Sequence, residues 1–295
     1  MHKHEKVKVK EIESGKQPSQ WPFMLFVAVL VVVVSTVVVG LVNVTTAQSA
    51  QQVAAASGNC KPNGHRAIVD GTENQPAGIS AAAKWRGITE PDANLTEDGE
   101  IMALHDNGLG RLTGGDSTQQ LGNVTLAELR SFRHPFGKFR HTTALIARAA
   151  KENIGMMINL HRGGNWTNEA FDELYDAAQL HPRPQVVYFG GQGVVEQMVA
   201  RHEDVATFHR FANDITDVDR MVTAINNKGY DLVGLRRPNW NRDTVSAIKA
   251  TGAKVTSTQT TTKSEARNAQ EAGVDYVQGN DVDKIAKRWC VKNPC

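Results

Sequence analysis

From about residue 60 onward, short runs of β-branched and apolar residues alternate with stretches whose apolar positions recur at helical spacing. The runs read as strands over 64–69, 87–92, 100–105, 155–161, 185–189, 231–235, 253–258 and 274–278, with a weaker one over 205–211. The helical stretches cover 125–132, 141–153, 167–180, 194–202, 217–228, 242–251, 263–271 and 282–289. Thr125-Leu-Ala-Glu128 forms a capping box at the start of the first of these. Gly229, Gly252 and Gly273 follow three others as C-caps. A strand followed by a helix, over and over, implies a parallel sheet. Eight or nine strands within roughly 230 residues fit a closed (β/α)8 barrel of the TIM type, an α/β single domain over 59–295, better than an open sheet. Asp98-Gly99 is a tight-turn pair, so the surplus strand is expected to be half of a hairpin joining 87–92 to 100–105.

A different pattern precedes this body. Residues 23–42 carry no charge and are apolar almost throughout, about the length that crosses a bilayer as a helix. The stretch is too long and uniform for a core helix, and Trp21 stands at its edge as interfacial aromatics do. Five Lys and three Glu lie in residues 1–42, all on the N-terminal side of the apolar stretch. The expected order is a basic cytoplasmic tail (1–22), a transmembrane signal-anchor (23–42), an Ala, Gln, Ser and Thr-rich linker (43–58) and a domain outside the cytoplasm, periplasmic or extracellular. A cleaved signal peptide, with Thr45-Thr46-Ala47 as its cleavage site, is the competing reading and would give a secreted protein. The apolar run exceeds the usual length of about 7–15 residues for cleaved signals, which favours the anchor.

With the tail set aside, the body carries as many basic as acidic side chains. That balance argues against a nucleic-acid partner, which calls for a basic excess. Cys60, Cys290 and Cys295 bracket the body and form no CxxC pair. In an oxidising compartment Cys60 is expected to bridge to Cys290 or Cys295 at the bottom of the barrel, with a local Cys290–Cys295 bridge as the alternative. No glycine-rich phosphate loop of either common type is present.

In a barrel of this kind the chemistry sits at the C-terminal ends of the strands. Those ends carry His65-Arg66, Glu90-Pro91-Asp92, His105-Asp106 and Asn159-Leu160-His161. Glu90 and Asp92 are two apart, which places two hard oxygen donors on one face and suits Mg2+ or Ca2+. His65 and His105, on separate strand ends, are placed to act as general acid and base. Arg66 offers a forked donor to a phosphate. Arg236-Arg237-Pro238, at the end of a late strand, reads either as a basic pair facing an anionic head group or as an exposed turn.

These residues, in this order, resemble the glycerophosphodiester phosphodiesterase family. The resemblance rests on Gly64-His65-Arg66, Thr72-Glu73-Asn74, Glu90-Pro91-Asp92, Glu97-Asp98-Gly99, Leu104-His105-Asp106, Arg111-Leu112-Thr113-Gly114-Gly115 and Thr125-Leu126-Ala127-Glu128-Leu129. It is specific over residues 64–129 and general beyond. It implies a TIM-type barrel and a divalent metal ion. His65 and His105 would be the acid/base pair, Glu90 and Asp92 metal ligands, and Arg66 a phosphate ligand. It further implies attack of a neighbouring glycerol hydroxyl on phosphorus, giving a cyclic phosphate that water then opens.

One departure stands out. The family's fourth strand usually carries Glu-x-Lys, where this chain has Asn159-Leu160-His161. Asn159 still offers a carbonyl oxygen to the metal and His161 a donor to the phosphate, but one negative charge is missing. The final strand also lacks the family's usual Trp, with Ser257-Thr258-Gln259-Thr260 in its place. The expectation is a membrane-tethered, metal-dependent hydrolase of glycerophosphodiesters or related phospholipid-derived diesters. The rival is a non-catalytic relative serving as an envelope binding or scaffold protein.

Overall fold

The computed structural model describes residues 61–163, 165–181, 186–211, 217–237, 239–258 and 260–290. The apolar segment 23–42, the linker, Cys60, Cys295 and the side chain of Cys290 lie outside the described residues, and with them the anchor and the expected disulfides. Among the described residues no helix is long and apolar enough to cross a membrane.

Eight parallel strands close into a ring. They are β1 (Lys61–His65), β2 (Ile88–Glu90), β5 (Gly155–Leu160), β6 (Val186–Gly190), β7 (Ala206–Arg210), β8 (Leu232–Leu235), β9 (Lys254–Ser257) and β10 (Tyr276–Gly279). Each pairs in parallel with the next, and β10 pairs with β1 to complete the circuit. The second barrel strand is interrupted at Pro91, which has no N–H for the ladder. It resumes as β3 (Asp92–Leu95), which pairs with β5 beyond the break. β3 then turns at Gly99 into an antiparallel partner, β4 (Ile101–Met102), so the surplus strand is the hairpin arm that Asp98-Gly99 predicts.

Helices follow the strands as α1 (Pro76–Lys84), α2 (Leu109–Leu112), α3 (Leu126–Ser131), α4 (Thr142–Glu152), α5 (Asn168–Ala178), α6 (Gln192–Arg201), α7 (Val218–Lys228), α8 (Arg242–Ala250), α9 (Lys263–Ala272) and α10 (Val282–Lys284), the last running into a π-helical turn over Ile285–Cys290. Thr125 caps α3 in the capping box read from the sequence, and Gly229 and Gly273 end α7 and α9 in left-handed conformation. Gly252 falls one residue beyond the C-cap of α8, which is Thr251. The weakest of the expected strands, 205–211, is a full member of the ring as β7.

The pleat divides the core in two. Ile88, Met157, Val187, Phe208 and Leu232 point inward and fill the barrel. Val233, Leu235, Val255 and Val277, one step out of phase, pack outward against the helices. Burying such side chains stabilises by about 1.5–3 kcal/mol each, and it fixes the phase of every strand, because a one-residue slip would exchange the two faces.

One expectation is corrected and one element is added. The run 100–105 forms only the two-residue β4, outside the ring, so His105 stands on the following loop and not at a barrel-strand end. The segment 76–84, with its Pro, Gly and four Ala, is helix α1, which is absent from the helical stretches read in the sequence; Pro76 occupies the first turn, where the missing N–H costs nothing.

Candidate active site

His65 ends β1, and in register Glu90 stands opposite it at the end of β2. His65 Nδ1 and Asn280 Oδ1 are 2.6 Å apart, so Nδ1 carries the proton and donates it. That leaves the Nε2 lone pair directed at the interior, 4.0 Å from Glu90 Oε2. Burial lowers the pKa of His65; the Asn280 bond opposes this and the Arg66 charge adds to it. The ring is therefore held neutral. Glu90, buried and accepting from Gln278 Nε2 at 3.0 Å, is pushed well above the usual carboxylate range by burial and then by the charge of Asp92.

Asp92 is fully buried at the start of β3, paired in register with Asn159 of β5. Its Oδ1 lies 2.8 Å from His161 Nε2 and accepts from Asn159 Nδ2 at 3.0 Å. Burial pushes its pKa up, but the hydrogen bond and charge of His161, the charge of His105 and a bond from Asn74 outweigh that and leave it lowered. Two carboxylates two residues apart are thus driven in opposite directions, a pattern that assigns them different protonation states. His161 is itself fixed from behind, since Trp166 Nε1 donates to its carbonyl at 2.8 Å.

Arg66 and Ala67 follow β1 with φ of 51° and 48°, left-handed for residues with a Cβ. Such conformations cost energy that surrounding contacts must offset, and here they turn the chain so that Arg66 reaches across to the loop carrying His105. Arg66 Nη2 donates to His105 Nε2 at 3.0 Å. His105 Nδ1 donates to Asp106 Oδ1 at 2.7 Å. Asp106 Oδ2 accepts from Arg111 Nε at 2.5 Å, and Arg111 makes a two-pronged pair with Glu73 at 2.8 and 3.1 Å. Glu73 returns to Arg66 at 3.6 Å. Arg66, His105, Asp106, Arg111 and Glu73 thus close a ring of five side chains whose four charged members alternate in sign. Burial would raise the Asp106 carboxyl, yet the bonds from Arg111 and His105 hold it down to about 2.

The His105 and His161 rings meet edge to face with centroids 4.8 Å apart. Asp92, His105 and His161 each present a donor atom, and these atoms lie within 4.8 Å of one another. That grouping is compact enough for one divalent cation. All seven residues singled out from the sequence, His65, Arg66, Glu90, Asp92, His105, Asn159 and His161, belong to this mouth. Those the sequence reading did not single out are Asn74, Glu73, Asp106, Arg111, Gln278 and Asn280. The first four stand inside quoted motifs, which was the available signal; Gln278 and Asn280 are brought in only by closure of the ring.

A family model described as the glycerophosphoryl diester phosphodiesterase family matches residues 72–284. The chain belongs to this family. Its members are phosphoric diester hydrolases, and that is the enzyme class of this chain. The fold is similar to that of a glycerophosphodiester phosphodiesterase from Agrobacterium tumefaciens (18% identity, 77% of this chain and 99% of that one, TM-score 0.63). It is also similar to the glycerophosphodiester phosphodiesterase from Thermotoga maritima (16% identity, 77% and 97%, TM-score 0.59). A third similar structure is an Oleispira antarctica phosphodiesterase in complex with the product sn-glycerol-3-phosphate (19% identity, 77% and 95%, TM-score 0.62). No curated protein matches the chain in sequence.

Proposed function

We propose that this phosphodiesterase hydrolyses glycerophosphodiesters by histidine acid/base chemistry assisted by a divalent ion, and that it does so outside the cytoplasm. The observation that carries the reading is the pairing of two differently prepared imidazoles. His65 is neutral with a free Nε2 beside Glu90, and His105 is braced at Nδ1 by an ionised Asp106.

His65 Nε2 takes the proton from the attacking glycerol hydroxyl, whose oxygen bonds to phosphorus. The bond from phosphorus to the leaving oxygen breaks, and that oxygen receives a proton from His105 Nε2, which is protonated once the Arg66 guanidinium turns from it to the phosphoryl oxygens. Asp106 supports the imidazolium form that His105 needs for this step. Water opens the resulting cyclic phosphate with the two roles exchanged. Arg66, held at the site by its left-handed turn, presents its guanidinium to the phosphoryl oxygens.

Asp92 with His161 would hold the ion, Glu90 and Asn159 standing beside them in the same mouth. When bound, it supplies positive charge to the phosphoryl oxygens. An imidazole nitrogen next to the carboxylate widens the donor set from the oxygen-only preference of Mg2+ and Ca2+ towards Mn2+ or Zn2+. The product in the Oleispira antarctica complex, sn-glycerol-3-phosphate, supports a glycerophosphodiester as substrate. The extracytoplasmic placement rests on residues 23–42 and their Lys-rich flank.

Hydrolysis of glycerophosphocholine and bis(p-nitrophenyl) phosphate with Mg2+, Ca2+, Mn2+ or Zn2+, with and without EDTA, tests the reading. Turnover that EDTA abolishes is expected; turnover indifferent to EDTA removes the metal from it.

A further inference from the structure

Across the ring from β1 and β2 lie β7 and β8, the fifth and sixth strands of eight. The inward face of β7 runs through Phe208 to Arg210, its last residue, two positions on. That of β8 runs from Leu232 through Gly234. A Cβ at Gly234 would lie 2.4 Å from the Phe208 ring and 2.8 Å from Thr258 Cγ2, so the position faces inward and its missing side chain makes room for that ring. Two residues beyond Gly234 on the same phase stands Arg236. The pleat therefore sends Arg210 and Arg236 to the mouth from adjacent strands, in register Arg210 to Gly234.

The two guanidiniums are not spoken for. Among the described residues neither has a carboxylate within ion-pair distance, and Arg236 Nε is buried without a hydrogen-bond partner. Its neighbour Arg237 differs: it is exposed and pairs with Glu265. The basic pair of the sequence is thus split, one arginine on the outer surface and one in the mouth. Burial lowers the pKa of Arg210, the charge of Arg236 adds to this and Glu90 across the mouth opposes it. Two like charges turned together beside a buried unpaired N–H form a receptor for an anion, because the anion removes the repulsion and satisfies the donor.

We propose that Arg210 and Arg236 form a second oxyanion subsite, opposite the Arg66 side of the mouth, that binds a phosphate or carboxylate carried by the substrate beyond the scissile diester. The proposal rests on the phosphodiesterase reading above and narrows it, to diesters whose head group is itself anionic rather than cationic like choline.

The test compares the full chain with Arg236→Gln and Arg210→Gln on three substrates: glycerophosphoglycerol, its terminal phosphate ester, and glycerophosphoglycerate. The unmodified enzyme is expected to favour one or both anionic head groups in kcat/KM by about tenfold or more, the scale of a charge-assisted contact. Each variant is expected to lose that preference, mainly through KM, and which anionic substrate loses more separates phosphate from carboxylate. Equal preference in variant and unmodified enzyme overturns the subsite, as does an unmodified enzyme that favours the neutral head group. Should none of the three be turned over, the catalytic reading fails on its own. Calorimetric titration with inorganic phosphate then decides the arginine pair: weaker binding in Arg236→Lys and Arg210→Lys, with unchanged circular dichroism, supports it, and identical isotherms overturn it.

Discussion

Asn74 holds Asp92 from two sides: its Nδ2 donates to Oδ2 at 2.8 Å, and its Oδ1 accepts from the Asp92 backbone N–H at 3.1 Å. Asn74 is in turn fixed by its own N–H, which donates to the Arg66 carbonyl at 2.7 Å. The turn that aims Arg66 therefore also aims the buried carboxylate. Asn74→Ala leaves that carboxylate one donor short. Divalent-ion affinity and kcat/KM are each expected to fall by about 10–100-fold, the range for partners that orient a metal ligand. Calorimetric titration and steady-state kinetics check this; an unchanged affinity would remove Asn74 from the support of the site.

The pH profile carries a signed expectation. His65 must be neutral to take a proton, and burial places its pKa below the usual 6.5. A lowered value keeps the base competent to lower pH. The acid limb of kcat/KM should thus lie below 6.5, with activity lost as pH falls through it. Asn280→Ala removes the bond that raises this pKa and should move the limb further down. His65→Ala and His105→Ala should each lower kcat by at least about a hundredfold. An acid limb above 6.5 contradicts the assignment of His65 as base.

Asn159→Glu restores a negative charge next to Asp92, where the amide now donates to Oδ1. Tighter divalent-ion binding is expected, measured by calorimetry on both proteins. Equal or weaker binding would show that Asn159 does not face the ion.

Gly78 lies in α1 where a Cβ would come within 1.8 Å of the Ala67 carbonyl oxygen. The helix presses directly on the left-handed Arg66-Ala67 turn. Gly78→Ala must push the two apart, and the backbone has no soft side chain to give way. A loss of about 1–3 kcal/mol is expected from overpacking, read by denaturant unfolding, with lowered activity as Arg66 moves.

His181 provides a pH effect on stability away from the mouth. It is buried, its Nε2 donates to the Ile146 carbonyl at 3.2 Å, and its Nδ1 has no partner. Burial lowers its pKa from 6.5. A folded-state value below the unfolded one means that the unfolded chain binds the proton first as pH drops. The contribution is full above about 6.5 and declines as pH falls from there through the folded-state value. His181→Asn should flatten the pH dependence of unfolding free energy in that interval; an equally steep decline in the variant would remove His181 as its source.

Much of this was open to reading in the chain. Strand phase is written in the alternation around Met157, Val187, Phe208 and Leu232, and hydrophobic period is the most direct signal a sequence gives. The acidic and histidine residues of the mouth stand in short spaced motifs, so His65, Glu90 and Asp92 could be named. Helix α1 was hidden because Pro76, Gly78 and a run of Ala show no apolar stripe. His105 was misplaced because β4 is cut short after Met102, and nothing local distinguishes the end of a strand from the loop beyond it. The site's remote partners were hidden for a different reason. Arg210, Gln278 and Asn280 carry no motif, and only the order of strands around the ring decides that they face Glu90 and His65.

The ring is sealed where β1 meets β10, Lys61 against Tyr276. The bond from His65 to Asn280 spans 215 positions of the chain and that from Gln278 to Glu90 spans 188. These are the contacts that a folding chain reaches across its longest loops, after local helices and neighbouring strands have formed. His65 and Glu90 stand on β1 and β2, and the partners that orient them, Asn280 and Gln278, come from across that seam. A chain that holds most of the apolar core but has not closed there lacks the bonds that orient both residues, so the site is complete only when the ring is.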